Sequence, residues 1–390
     1  MTDGTAGYEE RSGLAAQFAR QARACRENGS PLYGEICRAA SLHLAAGGQL
    51  AAVLAPWAKA RDGDLFPLRV LGAAHRIVLE RAAPALALWF PSVGGAAPVD
   101  AAGRAACFSA WVDAVAAARD RLPELLASPP QTNDPGRAAS LAGVLAQVAT
   151  AYGLPVRVHE LGCSAGLNLL ADRARITWLG GETGPSDSPL VLADAWEGAP
   201  LPPVSAADVV ERVGVDLAPV DVTTTEGRLH LTSYVWPDQS ERFERLRAAY
   251  DLASQVPVTL VQGDLVEHLE SLTPEKGTAL VVFHSATWLY LDADERARAE
   301  DAFQALGSAA TPDAPVVHVA REHHGDLLGM SFSVITRWWP APASGPLSAV
   351  LAVPAAGVTA GVPTILADTP PHGLPVIWQT PTATSLELER

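Results

Sequence analysis

The stretch that most constrains how this chain folds is Val156-Arg-Val-His-Glu160-Leu-Gly162-Cys-Ser164-Ala-Gly166-Leu-Asn168-Leu-Leu170. Val156 and Val158 alternate with polar residues as in a short strand, an acid and a glycine end it, and Leu167, Leu169 and Leu170 begin a helical pattern. A strand, a tight turn and a helix start, in that order, aim free backbone N–H groups and the positive end of a helix dipole at whatever lies beyond the strand. The glycines let a ligand approach the backbone closely.

Three chemistries use such a turn. A dinucleotide fingerprint, G-x-G-x-x-G, fits poorly, because Ser164 and Leu167 stand where its second and third glycines belong. A nucleophile elbow, G-x-S-x-G, is matched literally by Gly162-Cys-Ser164-Ala-Gly166, with Ser164 as nucleophile. That fold needs several strands and an oxyanion loop ahead of its elbow, whereas the chain before Val156 reads almost wholly helical. The third pattern, acid-x-Gly-x-x-x-Gly, has Glu160 as its acid and is the glycine loop of class I S-adenosylmethionine methyltransferases. A plain strand-to-helix turn would also carry these glycines, so the later strands decide.

Of the 390 residues 48% are hydrophobic and 18% charged, enough for a sizeable core in one large or two ordinary domains. The net charge of −15 and the lack of any Lys/Arg run argue against a nucleic acid partner. The first ten residues are polar and acidic, unlike a signal peptide, and Leu65 to Leu88 is too often charged to span a bilayer. Cys25, Cys37, Cys107 and Cys163 are scattered, which predicts reduced thiols in a cytoplasmic protein without a metal site. Cys163 stands apart because a helix N-terminus lowers a thiol's pKa.

Helical patterns cover residues 8–28, 32–46, 49–60, 65–81, 103–127 and 137–152, predicting a helical N-terminal domain over 1–150. Before the last of these, Ser128-Pro-Pro-Gln-Thr-Asn133-Asp-Pro-Gly-Arg137 is a Pro-rich loop whose Asn133 and Arg137 are candidates to reach a ligand at the turn. An α/β domain is expected over 151–390. It carries an insertion at about 174–210, long enough for its own hairpin. Strands then end in Asp216, in Gly263-Asp264, in His284 and in Arg321-Glu322-His323-His324, with capping boxes at Asp238/Glu241 and Asp292/Glu295 opening helices between them. Adjacent residues at a strand end point apart, so Glu322, His323 and His324 read as solvated loop residues and not as a metal site. From Met330 onward the pattern holds only strands, including 331–339, 347–353, 364–367 and 374–378, which predicts an antiparallel pair at one end of a mainly parallel sheet.

This order resembles a class I, Rossmann-like methyltransferase from about residue 156 onward. More closely, the whole chain resembles the bacterial domain-of-unknown-function family 2332. The resemblance rests on Ser30-Pro31-Leu32-Tyr33, Gln131-Thr132-Asn133 with Gly136-Arg137, Gly162 with Ser164-Ala-Gly-Leu-Asn-Leu169, Asp187-Ser-Pro189, Val235-Trp-Pro-Asp-Gln239, Gly263-Asp264 and Val282-Phe-His-Ser-Ala286. The methyltransferase resemblance implies S-adenosylmethionine as cofactor and a small-molecule acceptor. Glu160, Gly162, Ser164 and Gly166 are then expected at the methionine end, Asp216 at the ribose, and Asp264 or its neighbouring N–H groups at the adenine. Asn133 and Arg137 would face the acceptor, and His284 would be the base that a hydroxyl or amine acceptor needs. The alternatives are a serine hydrolase using Ser164 and a nucleoside-binding protein without chemistry.

Overall fold

The structure is a computed structural model that describes residues 13–323, 332–341 and 359–384; the expected strand at 347–353 lies outside them, as does His324. Among the described residues the longer helices are α1 (Leu14–Glu27), α2 (Pro31–Ala45), α3 (Gln49–Leu54), α4 (Phe66–Leu79), α5 (Ala101–Ala117), α6 (Ala138–Tyr152), α7 (Thr225–Ser233), α8 (Ser240–Ala253), α9 (Leu265–Ser271) and α10 (Ala293–Ala309). The strands are β1 (Val156–Leu161), β2 (Arg175–Trp178), β3 (Gly181–Thr183), β4 (Val191–Leu192), β5 (Trp196–Gly198), β6 (Val209–Asp216), β7 (Thr259–Gln262), β8 (Ala279–Ser285), β9 (Val316–His323), β10 (Phe332–Trp339), β11 (Thr364–Thr369) and β12 (Val376–Ala383). The chain divides into two compact units, Met1–Thr132 with Thr224–Glu244, and Asn133–Thr223 with Arg245–Arg390. Helix α6, counted by its pattern with the helical N-terminal part, falls in the second unit.

The first unit is helical. Leu14, Phe18, Ala22 and Cys25 recur every three or four residues on α1 and turn inward, where they join a core containing Tyr33, Phe66, Phe90 and Trp111. Helix α2 opens with Ser30 as its cap and Pro31 in its first turn. Asp238, expected as the cap of the helix that follows it, holds the start of α2: its two carboxylate oxygens accept from Ser30 Oγ at 2.6 Å and from Leu32 N–H at 2.9 Å. Gln239 Nε2 donates to the Asn28 carbonyl at 2.7 Å, and the Trp236 and Tyr33 rings lie 6.3 Å apart. Two motifs some two hundred residues apart in the chain are thus one contact.

The second unit is built on a nine-stranded sheet in the order β5-β12-β11-β10-β9-β8-β1-β6-β7. Strands β7, β6, β1, β8 and β9 are parallel neighbours, so the chain starts at β1, moves outward through β6 to β7, and returns to the other side of β1 for β8 and β9. Every residue of β8 is buried, as in a strand covered on both faces. The expected antiparallel pair is larger in the structure: β9, β10, β11 and β12 pair antiparallel in succession. Alternating apolar residues mark a strand but do not name its partner. Within the expected insertion, β2, β3 and β4 form a small separate sheet, while β5 joins the edge of the large one beside β12. The capping box at Asp292/Glu295 opens α10 as expected. Helices α7 and α9, of nine and seven residues, have no counterpart among the sequence patterns because neither is long enough to show the apolar repeat. Among the described residues no single helix is long and apolar enough to cross a membrane.

Removing the Asp238 carboxylate leaves a buried hydroxyl and the α2 amide at Leu32 without their acceptor. Asp238→Ala is therefore expected to cost about 1–3 kcal/mol in urea unfolding. An unchanged midpoint would show that the contact does not hold the start of α2.

Candidate functional site

Strand β1 delivers Glu160 between Gly214 of β6 and Phe283 of β8, and the chain then turns through three left-handed residues, Gly162 (φ 70), Ser164 (φ 53) and Gly166 (φ 68). A Cβ at Gly162 would lie 2.6 Å from the Thr287 side chain, so glycine is required there by space as well as by φ. Ser164 adopts this conformation without that excuse. Its N–H donates to Asp216 Oδ2 at 2.8 Å, which holds the turn against the end of β6. Asp216 Oδ1 accepts from the Ala218 N–H at 2.9 Å. After the turn comes a 3-10 stretch, Leu167–Arg173, in place of the expected α-helix. Leu167 to Ala171 are all buried, so they pack on every side rather than along one amphipathic face. The amides of Gly162, Cys163, Ser164, Gly166 and Leu167 all donate within the protein, so the turn presents neither a row of free N–H groups nor the dipole of a long helix.

Glu160 is 2% exposed; its Oε1 accepts from Asn168 Nδ2 at 2.8 Å, and Oε2 has no partner. Burial pushes its pKa up to about 8, with the Asp216 charge adding to the rise and the Asn168 hydrogen bond and the Arg137 charge opposing it. Ser164 Oγ, Asn168 Oδ1 and Arg137 Nε are also buried without partners. Asn133 spends its Oδ1 on the Leu167 N–H at 2.8 Å, fastening the loop before α6 to the glycine turn. Cys163 is buried, and burial together with Glu160 and Asp216 pushes its thiol well up, the opposite of a reactive cysteine. The structure thus brings Glu160, Gly162, Ser164, Gly166, Asp216, Asn133 and Arg137 together. Asp264 follows the end of β7, next to Gly263, whose N–H donates to the Asp216 carbonyl; its own Oδ1 accepts from the Val266 and Glu267 N–H groups at 2.8 and 2.9 Å as the cap of α9.

His284 lies 1% exposed at the end of β8. Its Nδ1 is 2.7 Å from Glu322 Oε1 and its Nε2 is 2.9 Å from His318 Nε2, so neither ring nitrogen is open to an acceptor molecule. Glu322 also accepts from the N–H groups of Thr287 and Trp288 at 3.0 and 3.3 Å, fixing the turn that packs on Gly162. Expected in a solvated loop, Glu322 is instead a buried residue of β9. Beside it Arg321 is fully buried, donates from Nη1 to Ser285 Oγ at 3.2 Å and from Nη2 to the Pro370 carbonyl, and lies over the Phe332 ring. Burial and the nearby Arg137 hold its pKa well below the usual arginine value. The signal that reveals these residues is period two: carried past Ala320, it puts Glu322 on the face of His318 and Arg321 on the other.

Polar groups converging on the carboxyl edge of a largely parallel sheet, where the strand order reverses at β1, define an α/β protein with a candidate ligand site at that edge. The chain belongs to the family DUF2332, described as an uncharacterized protein conserved in bacteria, whose family model matches residues 15–378. No curated protein and no solved structure matches it. Among the described residues no group of three or more His, Cys, Asp or Glu side chains is placed to hold a metal ion.

Folded Glu160 keeps its proton up to about pH 8, whereas the unfolded chain releases it near 4.5. Between those values the unfolded state is favoured by deprotonation, so stability falls as pH rises, by up to about 1.4 kcal/mol per pH unit from this group. Glu160→Gln removes that slope. Urea unfolding from pH 5 to 8 should show the variant gaining on the parent as pH rises; parallel curves would contradict the raised pKa.

Proposed function

We propose that this chain is an S-adenosylmethionine-dependent methyltransferase acting on a small-molecule acceptor, in the cytoplasm, where its four free, buried cysteines stay reduced. The observation that carries the reading is Glu160, a buried carboxyl with one oxygen unpartnered, set beside a left-handed glycine turn at the point where the strand order reverses. The order β7-β6-β1-β8-β9 has the 3-2-1-4-5 connectivity of a Rossmann-like half, which supports a class I resemblance over those five strands. The antiparallel extension beyond β9 departs from it.

The residues fit the cofactor unevenly. Glu160 Oε2, which lacks a donor, suits the ammonium of a methionine, and its approach would turn the neutral carboxyl into a paired carboxylate. Asp216 already accepts two backbone N–H groups, and the further lone pairs of its oxygens suit ribose hydroxyls. Asp264 is occupied as a cap, so the adenine falls to the backbone at Gly263, whose N–H donates to the Asp216 carbonyl at 3.0 Å and where a Cβ would meet only Val215, at 3.9 Å. When bound, S-adenosylmethionine supplies an electrophilic methyl group. The protein's part is to orient the two reactants and keep water out.

Because His284 has both ring nitrogens engaged, the acceptor is best one that needs no base, a carboxylate. Arg137 and Arg321 carry positive charge beside the turn and, among the described residues, neither forms an ion pair. They are the groups to hold it. The engagement of His284 also favours a second reading, a nucleoside-binding protein without turnover. A serine hydrolase is supported less, since Ser164 Oγ has no hydrogen-bond partner to act as its base.

Calorimetric titration with S-adenosylhomocysteine should show saturable binding and a raised melting temperature, and Asp216→Ala should weaken it about tenfold or more. Neither heat nor thermal shift at millimolar ligand, in folded protein, would contradict the reading. Labelling of Ser164 by a serine-directed phosphonate would point to the hydrolase.

A further inference from the structure

Between α10 and the sheet lies a cavity of about 430 Å³, within the range of small-molecule sites, lined among others by His284, His318 and Arg337 from adjacent strands and by Arg296, Ala297 and Glu300 from the helix. Register places His318 beside Val282 and opposite Arg337, and His284 beside Ala320, so the three polar residues share one face of the sheet. Arg337 gives both Nη groups to Glu300 at 2.7 and 2.6 Å, yet its Nε is buried without a partner, as are Arg296 Nε and His318 Nδ1. His318 and Arg337 are only 2% and 3% exposed.

The hydrogen-bond chain fixes what each orphan atom wants. In the neutral ring of His284 the Nδ1–H donates to the Glu322 carboxylate, which leaves Nε2 as the acceptor. His318 must then donate from its Nε2, so its Nδ1 presents a lone pair. Arginine Nε is always a donor. Residues of the wall therefore carry two donors and one acceptor without partners, and while Arg337 is paired with Glu300, among the described residues Arg296 forms no ion pair. Unmet buried polar atoms are costly, and three residues lining one cavity each carry one. Beside them the Trp288 and His284 rings stack at 4.6 Å, giving the cavity a flat aromatic side.

We propose that this cavity is a second binding site, separate from the glycine-turn rim, for a small carboxylate that carries a hydroxyl. The carboxylate accepts from Arg296 and Arg337, and the hydroxyl donates to His318 Nδ1. The site stands whatever the rim binds.

Benzoate and the 2-, 3- and 4-hydroxybenzoates, titrated into the full chain by calorimetry and followed by the ¹⁵N signals of the His318 ring, test it. At least one hydroxybenzoate should bind one-to-one, shift the His318 signals, and bind about tenfold tighter than benzoate, because benzoate leaves the His318 lone pair unmet. Ala297→Trp, which fills the cavity from an exposed helix position, should abolish binding without touching the core, and Arg337→Met should weaken it about tenfold. No saturable binding of any of the four to folded protein, as for a cavity that holds water alone, would overturn the proposal. So would binding that Ala297→Trp leaves intact, or benzoate binding as tightly as its hydroxylated relatives.

Discussion

A single carboxyl, that of Glu160, sets the terms for the carboxyl edge of this sheet. Ionised and unpaired in that setting it would cost several kcal/mol, so it stays protonated unless a cation meets it. The residues around it bury it and leave one of its oxygens without a partner. Gly214 leaves room for the Cys163 sulfur, Gly162 for Thr287, and Asn168 satisfies one oxygen only. Asp216 then draws the Ser164 amide across the top and adds the negative charge that makes the neighbourhood still less tolerant of a second.

Strand β9 divides the polar chemistry between the two faces of the sheet. Arg321 turns to the face where Ser285 and Pro370 meet it and where the Arg137 charge is felt. Its chain neighbours Glu322 and His318, one and three residues away, turn to the other, where they join His284 beneath α10. The same hydrogen bonds that withdraw His284 from the rim give His318 an unmet nitrogen at the cavity. One strand thus carries residues of both proposed sites, Arg321 on one face and His318 on the other.

Much of this was legible in the sequence and some was not, for physical reasons. The glycine turn, the acids at the ends of β1 and β6, and the parallel strands announced themselves because glycine at positive φ and apolar runs leave a local mark. The placement of Asp238 and Asp264 did not. Asp238 reads as the cap of the helix after it and Asp264 as a ligand to the adenine, yet Asp264 caps its own helix while Asp238 serves one far back in the chain. Glu322 and Arg321 were hidden for a different reason. A run of charged residues at a strand end looks solvated, and only their partners, remote in sequence, make burial tolerable. The 3-10 stretch after the turn shows the limit of periodicity: leucines buried on all sides imitate a helix start without specifying its pitch.

The most direct measurement is the titration of the Glu160 side-chain carboxyl by ¹³C NMR, with and without saturating S-adenosylhomocysteine. A midpoint near 8 in the free protein, falling toward the ordinary carboxylate range once the ligand's ammonium is in place, is the predicted result. An ordinary midpoint in the free protein, or one that the ligand leaves where it was, would contradict it.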